Sequence, residues 1–230
     1  MEKAVSIPAI DSIVRSKRRS IALVVTAEAK LIVRAPYGTS LKYIEEIVRS
    51  RQRWINEKQK AARQRNEAHT PRQFIEGEEF LFLGEPCRLE IKKGKPRVEW
   101  EPGRLIVQAR TDEEGKAVLG DWYRKQAGRV FLERAAYYSD KTGLRPKSVR
   151  VSGARGRWGS CGPQNSLNIV WRLVMAPVHV VDYVIVHELA HIAFKNHSAD
   201  FWRRVEEIMP GYRECRAWLA RNQKLLELFQ

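Results

Sequence analysis

The sequence predicts an α+β fold, in which a buried helix lies beside a small mixed sheet and a β-rich N-terminal subdomain precedes both. Three observations predict it: short β-prone runs over the first 110 residues, a long helical pattern after them, and a strongly apolar helical pattern after Pro177. The chain of 230 residues is 43% hydrophobic and 30% charged, which is typical of a globular protein. We therefore expect two parts, residues 1–110 and residues 111–230.

The first part begins with β-prone runs at residues 10–14, 20–26 and 29–35, which predict a small antiparallel meander. After the breaker Pro36-Tyr37-Gly38, apolar residues at helical spacing predict an amphipathic, strongly basic helix from Thr39 onward. Four further short runs, separated by Gly and Pro, predict hairpins: residues 80–83, 87–91, 97–100 and 105–107.

The second part begins with a long predicted helix from residue 112 to about residue 141, which Thr142-Gly143 and Pro146 would end. Strands are then expected at residues 148–152 and 167–173. Pro177 suits the first turn of the next helix, whose apolar residues cover most of its circumference and predict burial. Two more helices, residues 198–209 and 212–228, are separated by Pro210-Gly211.

The buried helix carries the motif His187-Glu188-Leu189-Ala190-His191, which has the pattern HExxH. Residues four apart lie on one helix face, so both imidazoles can bind one metal ion with Glu188 beside them. Burying these polar groups in an apolar helix without a partner would cost on the order of several kcal/mol, and metal ligation supplies that partner. The motif predicts a zinc (Zn2+) site.

A catalytic zinc needs three protein ligands, and His197 is the predicted third. The resulting spacing, H-x3-H-x5-H, has the interval of the metzincin signature, although Phe194 replaces the glycine at which a metzincin chain turns. We expect Asn196 to adopt the left-handed conformation instead. Met209-Pro210-Gly211-Tyr212 is similar to the methionine turn of metzincins, which makes Tyr212 a candidate transition-state donor; a helix break between two amphipathic helices explains the same residues.

The stretch from Arg155 to Tyr212, which begins RGRWGSCGPQNSLNIVWRL and contains VIVHELAHIAFKNH, resembles the YgjP-like metallopeptidase family of predicted metal-dependent hydrolases related to the SprT-like zincins. The close resemblance covers roughly residues 149–219. It implies a zincin-like catalytic domain with zinc held by His187, His191 and His197, and with Glu188 as the catalytic glutamate.

The predicted activity is peptide hydrolysis by a zinc-bound water, with Glu188 as general base. We expect an edge strand within residues 157–171 to hold an extended peptide or protein substrate by adding it to the sheet. Trp158-Gly159-Ser160-Cys161 would line the cleft, or else Trp158 belongs to the core and the glycines to turns. Cys161 is either a zinc ligand in a latent form or a buried, unreactive thiol.

Two other functions stay open at this point. A metal-dependent phosphohydrolase acting on nucleotides is favoured by the net charge of +15 and by Arg155 and Arg157 beside the expected cleft. A nucleic-acid-associated protease would use the basic helix of residues 42–65 to bind DNA or RNA. The excess of Lys and Arg lies entirely before Pro177, because the rest of the chain carries seven of each sign.

The composition also predicts a cellular location. No apolar run is long enough for a membrane span, and the N-terminal residues lack the apolar stretch of a signal peptide. The cysteines Cys87, Cys161 and Cys215 are far apart and odd in number, which favours reduced thiols. We expect a soluble cytoplasmic protein with no membrane partner, and the sequence leaves its oligomeric state open.

Overall fold

The structure is a computed structural model that describes residues 8–26, 28–67, 72–222, 226 and 228. The chain forms two compact units, one up to residue 70 and the other from residue 71 onward. The predicted division at residue 110 differs from this one. Strand residues such as Phe80, Leu89 and Leu105 share one core with Tyr123 and Phe131 of the long helix, so the hairpins belong to the second unit.

The first unit contains a three-stranded sheet with the order β1-β3-β2, formed by β1 (Ser12–Ser16), β2 (Ala22–Val25) and β3 (Leu31–Pro36). The prediction of an antiparallel meander is wrong for β1, which pairs with β3 in parallel. Leu31, Val33 and Ala35 on β3 are fully buried, which explains why β3 takes the central position. β3 pairs with β2 in the antiparallel direction, so the sheet is mixed.

Two helices complete the first unit, α1 (Leu41–Ser50) and α2 (Gln52–Glu67). They replace the single predicted helix, because the chain leaves the helical conformation at Arg51. The Ser40 hydroxyl caps α1 by accepting a hydrogen bond from the Tyr43 backbone N–H at 3.2 Å. The core of this unit joins both helices to β3: Leu31, Val33, Ala35, Ile44, Val48 and Ile55.

The second unit begins with the two predicted hairpins, which join through a parallel pairing of β5 with β7 into a sheet of order β4-β5-β7-β6. The strands are β4 (Glu79–Phe82), β5 (Glu85–Lys93), β6 (Arg97–Glu101) and β7 (Arg104–Ala109). The long helix α3 (Asp112–Thr142) then starts at the cap Thr111 and ends at Gly143, whose φ of 74° explains the glycine there.

A second, mixed sheet has the order β8-β10-β9, with strands β8 (Ser148–Ser152), β9 (Gly159–Cys161) and β10 (Ser166–Val170). In β9, the chain runs antiparallel to β10 at the edge of the sheet. The predicted strand 167–173 ends early in a 3-10 helix, Trp171–Met175. The consecutive residues Leu173, Val174 and Met175 are all fully buried. In a strand, successive side chains point to opposite faces, so a sheet with one covered face would leave one of them exposed.

Three helices end the described chain: α4 (Val178–Ala193), α5 (Ala199–Ile208) and α6 (Tyr212–Asn222). Pro177 lies at the N-cap position, immediately before α4. Burial of α4 is as complete as its sequence predicts, since the residues from Val180 to Val186 all lie in the interior. None of the helices in the described residues is long and apolar enough to cross a membrane. The observed fold is α+β, as predicted, with α4 beside the β8-β10-β9 sheet.

Candidate metal centre

The last two turns of α4 carry His187, Glu188 and His191. Because His187 and His191 are one turn apart, their rings lie on the same face of the helix with centroids 5.1 Å apart. Glu188 lies in the interior, with 5% of its surface exposed. The helix thus positions the three residues of the HExxH motif as its spacing predicts.

His197 returns to this face from the segment that follows α4. The helix ends at Ala193, and Phe194 adopts an extended conformation with φ of −125°, so the chain turns away there. The expectation of a left-handed Asn196 is wrong: the non-glycine residues with positive φ in the described part are Ala29, Phe74, Leu83 and Asn165. The chain bends at Lys195 and Asn196, after the extended Phe194, without a left-handed residue.

The three imidazoles form a group that fits a metal ion. One ring nitrogen from each of His187, His191 and His197 lies within 4.8 Å of the other two. Nε2 of His187 and Nε2 of His197 are 3.0 Å apart. Two nitrogens that bind one tetrahedral zinc at about 2.0–2.1 Å lie roughly 3.3 Å from each other, so this pair is already close to ligand spacing.

Contacts around the rings fix their orientation. Nδ1 of His191 donates a hydrogen bond to the Phe194 carbonyl oxygen at 2.9 Å, which leaves Nε2 of that ring with its lone pair. Nδ1 of His187 is buried without a hydrogen-bond partner among the described residues. The fully buried ring of Phe201 contacts all three imidazoles, with centroid distances from 4.5 to 4.9 Å. This packing holds the rings together without consuming the nitrogens that would bind metal.

The protonation state of two of the histidines also suits metal binding. Burial, together with the neighbouring His191 and His197, lowers the pKa of His187 to about 3. Burial and His191 lower the pKa of His197 as well. Both rings are therefore neutral at pH 7, and the neutral imidazole is the form that ligates a metal.

The donor set indicates the class of metal and of site. Imidazole nitrogens suit zinc and other transition metals, whereas magnesium and calcium prefer oxygen ligands. Within the described residues no fourth His, Cys, Asp or Glu joins the group. The acidic residues of α5 pair instead with arginines: Asp200 with Arg203 at 3.0 Å, Glu206 with Arg213 at 2.5 Å and Glu207 with Arg204 at 3.1 Å. Three ligands and an open position are typical of a catalytic site rather than a structural one.

The carboxylate of Glu188 lies under the edge strand β9. Burial raises its pKa to about 7, against a backbone hydrogen bond from Cys161 and the positive charge of Arg157, which both lower it. A carboxyl group whose pKa is near neutral accepts and releases protons in the physiological range. The environment of Glu188 is therefore suited to general acid–base chemistry.

Gly159 on β9 allows this close approach. A Cβ atom at residue 159 would lie 2.6 Å from Oε1 of Glu188 and 2.7 Å from its Cγ, which is closer than real Cβ contacts come. Any other residue would have to push the edge strand or the carboxylate aside. Of the two interpretations of the Gly159 segment, the structure favours the one in which it lines the cleft.

Trp158 and Cys161 combine features of both interpretations. Trp158 is half-buried against the main core, and its backbone carbonyl accepts a hydrogen bond from the Val170 N–H at 2.8 Å. The thiol of Cys161 is not part of the histidine group, and burial raises its pKa above the usual value. A thiol with a raised pKa is less reactive, which favours the buried, unreactive alternative.

Tyr212 begins α6 and is 5% exposed. Its ring stacks on Trp202 with a centroid distance of 5.4 Å and on Tyr183 at 6.3 Å. Both of these rings contact His187, at 5.6 and 5.9 Å. The structure therefore places Tyr212 one aromatic ring away from the imidazoles, and its role as a donor stays a prediction.

An ion pair that the sequence patterns did not indicate joins α4 to α3. Arg134 donates to both carboxylate oxygens of Asp182, at 2.6 and 2.7 Å, and the Tyr138 hydroxyl donates to the same carboxylate at 3.2 Å. The signal was a single acidic residue inside an apolar helix, since a buried carboxylate requires a partner. The partner itself is 48 residues away in sequence, and no local pattern indicates it.

The family comparison places this chain among metallopeptidases. Residues 19–222 match the YgjP-like family, metallopeptidase domain. The search of curated proteins found no match. Among solved structures, the metallopeptidase zymogen abylysin of Pyrococcus abyssi matches with 21% identity and a TM-score of 0.37, over 40% of this chain and 95% of that chain.

Proposed function

The chain belongs to the YgjP-like metallopeptidase family, whose domain spans nearly its whole length, and from this premise we propose that it is a zinc-dependent peptidase. The observation that carries the proposal is the group of three imidazoles, with no fourth protein ligand in the described residues, beside a buried carboxylate. Every residue that the proposal uses lies in the second unit.

His187, His191 and His197 would hold the metal through one ring nitrogen each. When bound, zinc supplies Lewis acidity toward a carbonyl oxygen and lowers the pKa of water toward about 7. The hydrogen bond between Nδ1 of His191 and the Phe194 carbonyl orients that ring for ligation.

Glu188 is proposed as the general base. It would take a proton from the attacking water and then pass it to the leaving amine, which requires a carboxyl pKa near the working pH. Burial supports this role by raising that pKa to about 7. The same carboxylate interacts with the backbone of Cys161 on β9, which supports a base that acts beside the edge strand.

The outer edge of β9 is proposed to bind the substrate. Only one side of this strand pairs with β10, through residues 159–161. An extended peptide that adds to the free side would form backbone hydrogen bonds irrespective of its side chains, and it would lie beside the strand that contacts Glu188. Tyr212 is proposed as a transition-state donor, supported by its position one aromatic ring from the histidines.

One observation favours a second candidate, the hydrolysis of a phosphate anhydride in a nucleotide. A cavity next to β9 is lined by five basic side chains, which would also bind a phosphate chain. The family match supports the peptidase and lends no support to a nucleic-acid partner.

The cysteines Cys87, Cys161 and Cys215 are all free thiols, which supports the proposed cytoplasmic location.

Metal removal tests the proposed function. The purified protein would be depleted of metal with a chelator, reloaded with zinc, and assayed on an unstructured protein and on nucleoside triphosphates at each stage. We expect one zinc per chain, with peptide cleavage lost on depletion and recovered on reloading. Peptide cleavage that persists without metal would contradict the proposal, and metal-dependent cleavage of triphosphates alone would establish the second candidate.

A further inference from the structure

The second unit contains a strongly basic cavity beside the edge strand. Its volume is about 760 Å3, and the described residues that line it include five cations and no Asp or Glu: Lys116, Arg124, Arg155, Arg157 and Arg172. Trp158 and Trp171 line it as well. Five like charges around one concavity repel each other, so an anion that enters it relieves the repulsion and gains charge-assisted hydrogen bonds.

Two of these arginines are held in place by the protein itself. Arg172 donates to the Ala154 carbonyl oxygen at 2.6 Å, and its guanidinium lies 5.3 Å from the Trp171 ring. Arg124 lies 5.1 Å from the same ring and pairs with the exposed Asp121 at 2.7 Å. Both charges are therefore oriented before a ligand binds, which reduces the entropy lost on binding.

The cavity borders the start of the strand proposed to bind the substrate. Arg157 and Trp158 line it and directly precede β9, which begins at Gly159 against Glu188. A strand rises about 3.3 Å per residue, so a side chain roughly two to four residues from the scissile bond would reach the cavity.

We propose that the cavity is a specificity subsite that selects peptide substrates with acidic side chains on one side of the scissile bond. The proposal rests on the proposed peptidase function. It also explains why the basic side chains concentrate at one end of β9. An acidic peptide fits both the free edge of β9 and the basic cavity, since its backbone pairs with the strand while its carboxylates occupy the cavity. A nucleotide has no backbone that pairs with the strand.

Binding by the zinc-loaded Glu188→Gln protein tests the subsite without turnover. The probes are a short unstructured peptide with consecutive Glu residues and its counterpart with Gln at the same positions, measured by calorimetry at low and moderate salt. We expect the Glu peptide to bind tighter by about tenfold or more, which is the equivalent of one charge-assisted hydrogen bond. Added salt should reduce this preference.

Matched substitutions locate the preference. Arg155→Gln and Lys116→Gln, made in the Glu188→Gln background, should each reduce the ratio of Glu-peptide to Gln-peptide affinity, and together they should bring it close to one. Arg150→Gln is the control, because Arg150 is an exposed arginine on β8 outside the cavity lining, and it should leave the ratio unchanged. Melting curves verify that each variant is folded.

The outcomes separate this inference from the proposed function. Equal binding of the two peptides, or a ratio that the cavity variants leave unchanged, would overturn the subsite even if the parent protein cleaves peptides. Nucleoside triphosphate or single-stranded DNA that binds in the cavity in place of the Glu peptide would overturn it as well. Selective binding of the Glu peptide by a protein that cleaves no peptide would retain the acidic-peptide site and refute the peptidase.

Discussion

The two ends of α4 each bury one carboxylate, and the two carboxylates have different surroundings. Asp182 and Glu188 are both 5% exposed. Asp182 accepts two hydrogen bonds from Arg134 and one from Tyr138, so its charge is fully compensated. Glu188 receives one backbone hydrogen bond and forms no ion pair in the part of the chain that the structure describes.

This difference teaches that partners, rather than burial, decide what a buried carboxylate does. A compensated carboxylate is an anchor, because it is stable only when its helix stays against the guanidinium. A carboxylate that is buried without a cationic partner has a raised pKa, and its burial lowers the stability of the fold. Such groups are typical of reactive sites. One helix thus combines an anchored start with a reactive end.

The largest expected effect is at the anchored end. Asp182→Asn removes the charge opposite Arg134 and leaves a half-buried guanidinium without its partner, so we expect the free energy of unfolding to fall by about 3 kcal/mol. Urea unfolding of the metal-free protein measures this, because bound zinc would add stability of its own. Zinc affinity of the folded variant should change little.

An exposed pair of the same kind is the control for that experiment. Asp140 bonds Arg145 at 3.1 Å with more than 70% of each side chain exposed, so Asp140→Asn should change stability by no more than about 0.5 kcal/mol. Equal losses for the two substitutions would mean that burial of the Asp182 pair has no special role.

The next prediction concerns His197, the proposed third metal ligand. His197→Ala removes one of three nitrogens, and we expect zinc affinity to fall at least about a hundredfold, since even the loss of an outer partner costs ten- to a hundredfold. His179→Ala is the matched control, because His179 is exposed at the other end of α4. Competition with a chromogenic chelator measures both, and unchanged affinity for His197→Ala would remove this residue from the site.

The smallest expected effect concerns the contact between Gly159 on β9 and Glu188 on α4. Gly159→Ala would place a Cβ against Glu188, and displacement of the base or strand should lower peptide cleavage by roughly tenfold or more. Gly38→Ala, in the first unit, meets no atom within 4 Å and should be neutral for cleavage, because the proposed site lies in the second unit. Equal kcat/KM values for the two variants would show that the approach of β9 to Glu188 has no role in the reaction.

Local patterns predicted the parts of the molecule that depend on residues near in sequence. The spacing of His187, Glu188 and His191 predicted one helix face, and the interval to His197 predicted a nearby third imidazole. Thr142-Gly143 predicted the end of α3, and Gly and Pro clusters predicted both hairpins. Each of these features is determined by helix periodicity or by the conformational preference of one or two residues.

Features that depend on distant residues were not predictable in this way. The parallel pairing of β1 with β3 depends on which strand is central in the sheet. The boundary between the two units depends on the core that strands β4–β7 share with α3. The Arg134–Asp182 pair joins two helices, and the approach of Gly159 to Glu188 joins a strand to a helix. Asn196 was expected to be left-handed because a glycine was missing, whereas the helix ends at an extended Phe194 and the bend that follows needs no left-handed residue.

The most direct test of the account is Glu188→Gln, measured for both peptide cleavage and zinc content. Glu188 neighbours two ligands without belonging to the ligand group, so the account predicts that the variant keeps one zinc and its melting temperature. Peptide cleavage should fall by roughly a hundredfold to ten-thousandfold, the contribution of a general base. A variant that retains zinc and full cleavage would contradict the assignment of Glu188 as the base, and with it the proposed mechanism.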